Sequence, residues 1–319
     1  MKTLLITAIG GDIAQGLAAI VRETFPNFRL VGMDIHERHG GQLSVDSFHK
    51  APAVADPDYH DWLAGLIRRE HVDFCIPTSE AELVHFAKRG IASVAEAPLV
   101  MPNSKTVLVG SDKLDTSQFL ASIGCPGPWT HCADAADARV PLPCIFKPRC
   151  SAGSKSVFIC KTFADIAFYR DHHPMSVVQE LLLPADQEVT CAIYRTKDGR
   201  TAVLQLLRTL VGGFTGWAQV IDHPEVSKQC VQIAEGLGLQ GGINAQLRLT
   251  EQGPRIFEIN PRFSSTLLMR HKMGFCDAVW TVQEALGKSV SFYHPRVGTT
   301  GVRVQDAAVL GSEKQGTRK

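Results

Sequence analysis

The segment Phe257-Glu258-Ile259-Asn260-Pro261-Arg262 places a carboxylate and an amide oxygen two residues apart. On a strand, both side chains emerge on one face. Gln246 lies in the preceding apolar run Ile243–Leu249, and a turn at Thr250–Pro254 would bring it across a hairpin to that face. A carboxylate and two amide oxygens form the hard-oxygen set that Mg²⁺ prefers. Arg262 adds a planar fork suited to a phosphate or a carboxylate. The plain alternative is a strand whose polar residues face solvent.

Further upstream, Phe146-Lys147-Pro148-Arg149 runs into Ala152-Gly153-Ser154-Lys155-Ser156. A lysine at a strand end and a small-residue loop can set a point charge and backbone N–H groups around a polyphosphate. An ordinary hairpin loop with a solvated lysine reads the same way. Glu180 opens the apolar segment Leu181-Leu182-Leu183, whose backbone could wall an adenine pocket. Glu188 follows a turn and could accept from ribose hydroxyls. Exposed acids at strand ends are the alternative for both.

The elements that must position these residues fall into two patterns. Over the first hundred residues, apolar strands at Thr3–Ile9, Phe28–Asp34 and Val72–Pro77 alternate with helices at Ile13–Glu23, Tyr59–Glu70 and Glu80–Arg89. That alternation predicts an α/β unit with a parallel sheet over residues 1–103. Ser111 reads as the N-cap of a helix running through Ile123 and stopped by Gly124. Beyond it the sequence becomes strand-rich, predicting an α+β unit over residues 104–310 with antiparallel hairpins. Its strands are expected at Cys144–Lys147, Val157–Lys161, Val177–Leu183, Val189–Arg195 and Thr201–Leu207, with a helix ending at Gly238. A polar tail, residues 311–319, is expected to fray.

Composition narrows the classes. The chain has 319 residues, 45% hydrophobic and 20% charged, with a net charge of +1, which excludes a disordered chain and gives no nucleic-acid or membrane-surface signature. Nine cysteines without a CxxC pair read as free thiols, so the expected compartment is the cytoplasm. Gly10-Gly11-Asp12 interrupts the apolar run Leu4–Ile9, favouring a first strand over a signal peptide. His36, His39 and His49 lack metal-ligand spacing and read as solvated.

Taken in order, Asp112-Lys113, Lys147-Pro-Arg with its Gly/Ser loop, Gln179-Glu180, Glu188, Gln246 and Glu258-Ile-Asn-Pro-Arg262 resemble the ATP-grasp superfamily, especially the ATP-binding halves of the carbamoyl phosphate synthetase large subunit. The likeness implies a Rossmann-like pre-ATP-grasp domain followed by a two-lobed ATP-grasp domain, the small lobe at about 125–183 and the larger at about 184–310. It implies that Lys113 and Lys147 contact ATP phosphates and that Ser154 belongs to the phosphate loop. Glu180, Leu181 and Leu182 would meet adenine, and Glu188 the ribose. Gln246, Glu258 and Asn260 would hold Mg²⁺ or Mn²⁺, with two ions expected. Arg262 would steady the transferred phosphoryl group.

Two departures are visible: Ser156 stands where the family often has glycine, and Gln246 is neutral where many relatives have an acid. The chain has one ATP unit, so synthesis of carbamoyl phosphate itself is not expected. The implied reaction activates a small-molecule carboxylate as an acyl phosphate, releases ADP and joins the carboxylate to an amine; relatives often form homodimers, which makes a homodimer one expected state. Arg208 is a candidate anchor for the carboxylate, with a solvated strand arginine as the alternative. Arg270, His271 and Lys272 read as a solvated helix face. A kinase-like phosphotransferase or a nucleotide sensor on the same fold is the second reading. A nicotinamide-dependent oxidoreductase is the third, but the glycines Gly10, Gly11 and Gly16 lack the G-x-G-x-x-G spacing.

Overall fold

The computed structural model describes residues 1–135, 140–150, 156–305 and 307–308. Ser154, with most of the Gly/Ser loop, and the 311–319 tail lie outside the described residues.

The chain opens with β1 (Lys2–Ile6), α1 (Asp12–Thr24), β2 (Phe28–Asp34), β3 (Ser47–Lys50), α2 (Tyr59–Glu70), β4 (Phe74–Ile76) and α3 (Glu80–Arg89). The strands form a parallel sheet in the order β3-β2-β1-β4. The near-continuous apolar runs of β1 and β4 follow from burial on both faces. β3 was not expected, because Ser-Phe-His-Lys carries no apolar run. It is an edge strand held to β2 by backbone pairing, and its side chains are only partly covered.

A short ribbon of β5 (Ser93–Val94) and β6 (Ala97–Pro98) leads to α4 (Ser104–Ser111) and α5 (Lys113–Ser122). The expected cap is corrected here. Ser111 ends α4, where its hydroxyl donates back to the carbonyl of Val107, and Asp112 caps α5 by accepting from the N–H groups of Leu114 and Asp115. Gly110 is required on α4, since a Cβ there would meet Pro261 Cδ at 2.9 Å and the Ile259 carbonyl at 3.1 Å. That close approach presses α4 onto the strand carrying Glu258 and Asn260.

β7 (Thr130–Cys132), β8 (Cys144–Pro148), β9 (Phe158–Cys160), α6 (Phe163–His172) and β10 (Ser176–Glu180) make a small antiparallel sheet in the order β7-β10-β8-β9. α6 starts with a capping box between Thr162 and Asp165. The remaining elements are β11 (Glu188–Arg195), β12 (Thr201–Val211), β13 (Phe214–Ile221), α7 (Pro224–Leu237), β14 (Gly241–Thr250), β15 (Gly253–Asn260), α8 (Leu267–Met273), α9 (Asp277–Ala285) and β16 (Thr300–Val302). Their strands build one antiparallel sheet, β15-β14-β11-β12-β13-β16. α7 ends at Gly238 in the left-handed conformation, φ 58°. Its Val226, Cys230, Ile233 and Leu237 pack on the inner face of the six-stranded sheet.

The expectation for residues 270–272 also needs correction. Arg270 is fully buried, and its guanidinium binds both oxygens of buried Asp277 at 3.0 and 2.6 Å and the hydroxyls of Ser264 and Thr266 at 2.8 and 3.0 Å. It fixes α8 against α9, which makes it a packing residue with its charge satisfied. Among the described residues no helix is long and apolar enough to cross a membrane.

Candidate active site

The expected hairpin forms, with Gln246 opposite Glu258 and Asn244 opposite Asn260 across β14 and β15. Between these pairs and Leu247–Ile256 the register shifts by one residue. Ile256 and Ile259 both reach the core under α7, an i, i+3 spacing that a regular strand does not allow. The bulge between them turns Phe257 and Glu258 together toward a cavity between the small sheet and the six-stranded one.

That cavity has a volume of ≈ 190 Å³ and brings together Lys113, Lys147, Glu180, Leu181, Leu182, Glu188, Arg208, Gln246 and Glu258. Lys113 begins α5, and its backbone N–H and Nζ both reach the carbonyl of Arg149, at 3.1 and 3.4 Å. Arg149 in turn binds the cap Asp112 through Nε at 3.0 Å and Nη2 at 2.7 Å. This pairing holds the Asp112 carboxyl below its ordinary value despite burial. Lys147 is the penultimate residue of β8 and is buried. Burial pushes its ammonium down to about 8; Glu258 and Glu188 pull upward and Lys113 adds to the depression. Its Nζ lies 5.6 Å from the centre of the Phe257 ring, which also carries the Arg248 guanidinium at 6.0 Å.

Several expected nucleotide contacts already have protein partners. Glu188 accepts from Arg208 Nη2 at 2.6 Å and Arg248 Nη2 at 2.7 Å. Arg248 Nη1 donates to the Leu182 carbonyl at 2.9 Å. Glu180 accepts from Arg255 at 3.0 Å and from the Trp129 N–H at 3.2 Å, so its carboxylate points to the joint between sheets. Arg208 is buried, with Nη2 also donating to Gln246 Oε1 at 3.0 Å. It therefore sits on the cavity floor between two expected ligands and does not stand as a free carboxylate anchor.

Two functional candidates were missed in the sequence. Arg248 carried no motif, although its i+2 spacing from Gln246 predicts the same strand face. Glu80, the first residue of α3, reaches in from the parallel-sheet unit. Burial raises its carboxyl above the ordinary value, with Arg262 and Lys113 opposing and Glu258 reinforcing the rise. Glu258 with Asn260 supplies a carboxylate and an amide oxygen from one strand, the hard donors that a dication takes. The residues fit Mg²⁺ on that ground.

Arg262 belongs to a second cavity of ≈ 280 Å³, bounded by Ile76, Pro77 and Thr78 after β4, by Met101, and by Gly241, Gly242 and Phe263. Arg262 Nη1 donates to the Phe263 carbonyl at 3.0 Å. The three histidines form no metal cluster among the described residues; His49 pairs with Glu70 at 2.8 Å.

A parallel-sheet unit, a small antiparallel sheet and a six-stranded antiparallel sheet around this cavity define the ATP-grasp fold. Residues 178–308 match the family described as ATP-grasp in the biosynthetic pathway with Ter operon. A formate-dependent phosphoribosylglycinamide formyltransferase of Sulfurovum sp. (strain NBC37-1) is 26% identical over 249 residues, covering 69% of this chain and 63% of the relative, so the chain spans less than two thirds of that protein. Among solved structures, an ADP complex of N5-carboxyaminoimidazole ribonucleotide synthetase superposes with a TM-score of 0.75 at 15% identity, covering 94% of this chain and 80% of that one. An L-amino acid ligase from Bacillus licheniformis gives 0.71 at 17% identity, covering 90% of this chain and 74% of that one.

Proposed function

We propose that the protein is an ATP-dependent ligase that activates a small-molecule carboxylate as an acyl phosphate, releases ADP and joins the carboxylate to an amine. The observation that carries this reading is the meeting of Lys113, Lys147 and Glu258 in one cavity between two sheets. Lys113 and Lys147 bind and orient the phosphates, and the low-dielectric surroundings of Lys147 strengthen its hold on them. Glu258 and Asn260 hold Mg²⁺, which neutralises charge on the phosphates when bound.

We place the carboxylate substrate in the cavity beside Arg262, whose fork suits a carboxylate or the phosphoryl group it receives. The lining there is largely apolar, with Ile76, Leu83, Leu99 and Phe263, and this favours a substrate with an apolar body. Glu80 lies within electrostatic reach of Arg262, Lys113 and Glu258, and its carboxylate is suited to pair with an incoming ammonium group. Both relatives named for ligase or transferase chemistry on small molecules support the reading.

The test is incubation with Mg-ATP, pooled carboxylic acids and hydroxylamine, read by mass spectrometry. ADP together with a hydroxamate is the expected result, because hydroxylamine traps an acyl phosphate. AMP with pyrophosphate overturns the acyl-phosphate route. A phosphorylated alcohol would replace the ligase by a phosphotransferase.

A further inference from the structure

We infer that Arg208 takes the place of one of the two divalent cations, so that the site binds a single Mg²⁺ with its nucleotide. This rests on the ATP reading above and concerns the electrostatics of its floor.

Gln246 occupies the position where an acid would draw in a metal ion. It brings no charge, and its only acceptor atom, Oε1, receives Arg208 Nη2 at 3.0 Å. A dication on the same oxygen would lie against a guanidinium, and the two charges repel in a site of reduced dielectric. The guanidinium is also held in place. Nε and Nη2 of Arg208 both donate to Glu188 Oε1, at 3.0 and 2.6 Å, and Nη1 lies 3.5 Å from Thr215 Oγ1.

Charge counting favours the same outcome. Glu188 is shared by Arg208 and Arg248, so these three side chains carry one net positive charge beside neutral Gln246. That half of the floor is already cationic and can face a polyphosphate without a metal. The anionic half is at Glu258, which lines the same cavity across the hairpin from Gln246. A single dication belongs there, held by Glu258 and Asn260. Arg208 is thus a binding residue for the polyphosphate, fixed in the fold where an exchangeable ion would otherwise sit.

The experiment counts metal in the full chain with the non-hydrolysable ATP analogue that carries a β,γ-imido bridge. Equilibrium dialysis gives bound analogue by absorbance and bound Mn²⁺ by electron paramagnetic resonance. One Mn²⁺ per bound analogue, without the spectrum of a spin-coupled pair, is expected. Two Mn²⁺ per analogue, or a coupled pair, overturns the proposal. The Arg208→Met variant should gain a second Mn²⁺; a folded variant that still holds one overturns the role given to Arg208. If that variant does not fold, the wild-type count decides. No analogue bound at millimolar concentration overturns the ATP reading itself, and the proposal falls with it.

Discussion

Arg255 on β15 donates through Nη2 to Glu180 at the end of β10 at 3.0 Å, while its Nε reaches the Gly127 carbonyl at 3.0 Å. One side chain of the six-stranded sheet thereby holds both the strand that walls the cavity and the segment that enters the small sheet. Arg255→Met removes these bonds and leaves both sheets intact. Nucleotide affinity should fall roughly three- to tenfold with little change in melting temperature. Isothermal titration with ADP measures it, and unchanged affinity would show that Glu180 needs no such brace.

Lys147 makes a prediction in protons. Its ammonium titrates at about 8 in the free protein, against an ordinary 10.5. A bound polyphosphate favours the charged form, so binding should take up protons as pH rises from about 8 toward 10, and the uptake should fade below about pH 7. Titration in two buffers of different ionisation enthalpy reads the uptake directly, and Lys147→Met should remove it. The sign for stability follows from the same depression. The unfolded chain binds the proton first, so stability of the free protein should fall as pH drops from about 10.5 to about 8 and level off below.

Glu258→Gln keeps the shape of the hairpin and removes the carboxylate that reinforces the rise at Glu80. Mn²⁺ affinity in the presence of nucleotide should drop about 100-fold or more, and turnover with it. Glu80 would lose a like-charged neighbour while buried Lys147 would lose an opposite charge, so the melting temperature should change little. A variant with undiminished metal affinity would remove Glu258 from the metal site.

Ser156 has φ 61°, a left-handed backbone that a side chain resists, at the position where the family resemblance would put glycine. Ser156→Gly relieves strain of about 1–2 kcal/mol against a glycine entropy cost of about 0.5–1 kcal/mol. A net gain of up to about 1.5 kcal/mol is expected in urea unfolding. A loss would mean that the serine hydroxyl makes a stabilising contact.

Asp277→Ala should cost about 3–5 kcal/mol, since it leaves the Arg270 guanidinium buried without its carboxylate. Denaturant unfolding is the measure. A loss below about 1 kcal/mol would show that water or Ser264 and Thr266 satisfy the charge unaided.

The parts legible in the sequence were those with a period or a motif. The strand–helix alternation gave the parallel sheet, and the hairpin joining Gln246 to Glu258 followed from two apolar runs, although its turn is tighter than the expected Thr250–Pro254, with Gly253 and Pro254 already paired in β15. What escaped had physical reasons. β3 owes its existence to backbone bonds with β2, which leave no mark on side-chain pattern. α4 was missed because its Cβ-free Gly110 sits against Pro261, a tertiary contact that overrides glycine's poor helix propensity. Arg270 was taken for a solvated residue because its partner Asp277 lies on the next helix. At the site, residue types could be read along the chain, but the engagement of Glu188 and Gln246 by Arg208 depends on three neighbouring strands.

The joints between the sheets differ in kind. α1 of the parallel unit shares one apolar core with Phe263, Leu267, Val279 and Val282, and Arg303 near the far end of the sequence bonds to Asp12 at 3.4 Å. The small sheet has its own core around Phe146, Cys144 and Val178, and polar pairs such as Asp112–Arg149 and Glu180–Arg255 tie it to the remainder. Oil-filled seams weld; ion pairs act as latches that water can replace. The parallel unit and the six-stranded sheet therefore share a dry seam, and the small sheet is the part whose attachment water can most readily loosen.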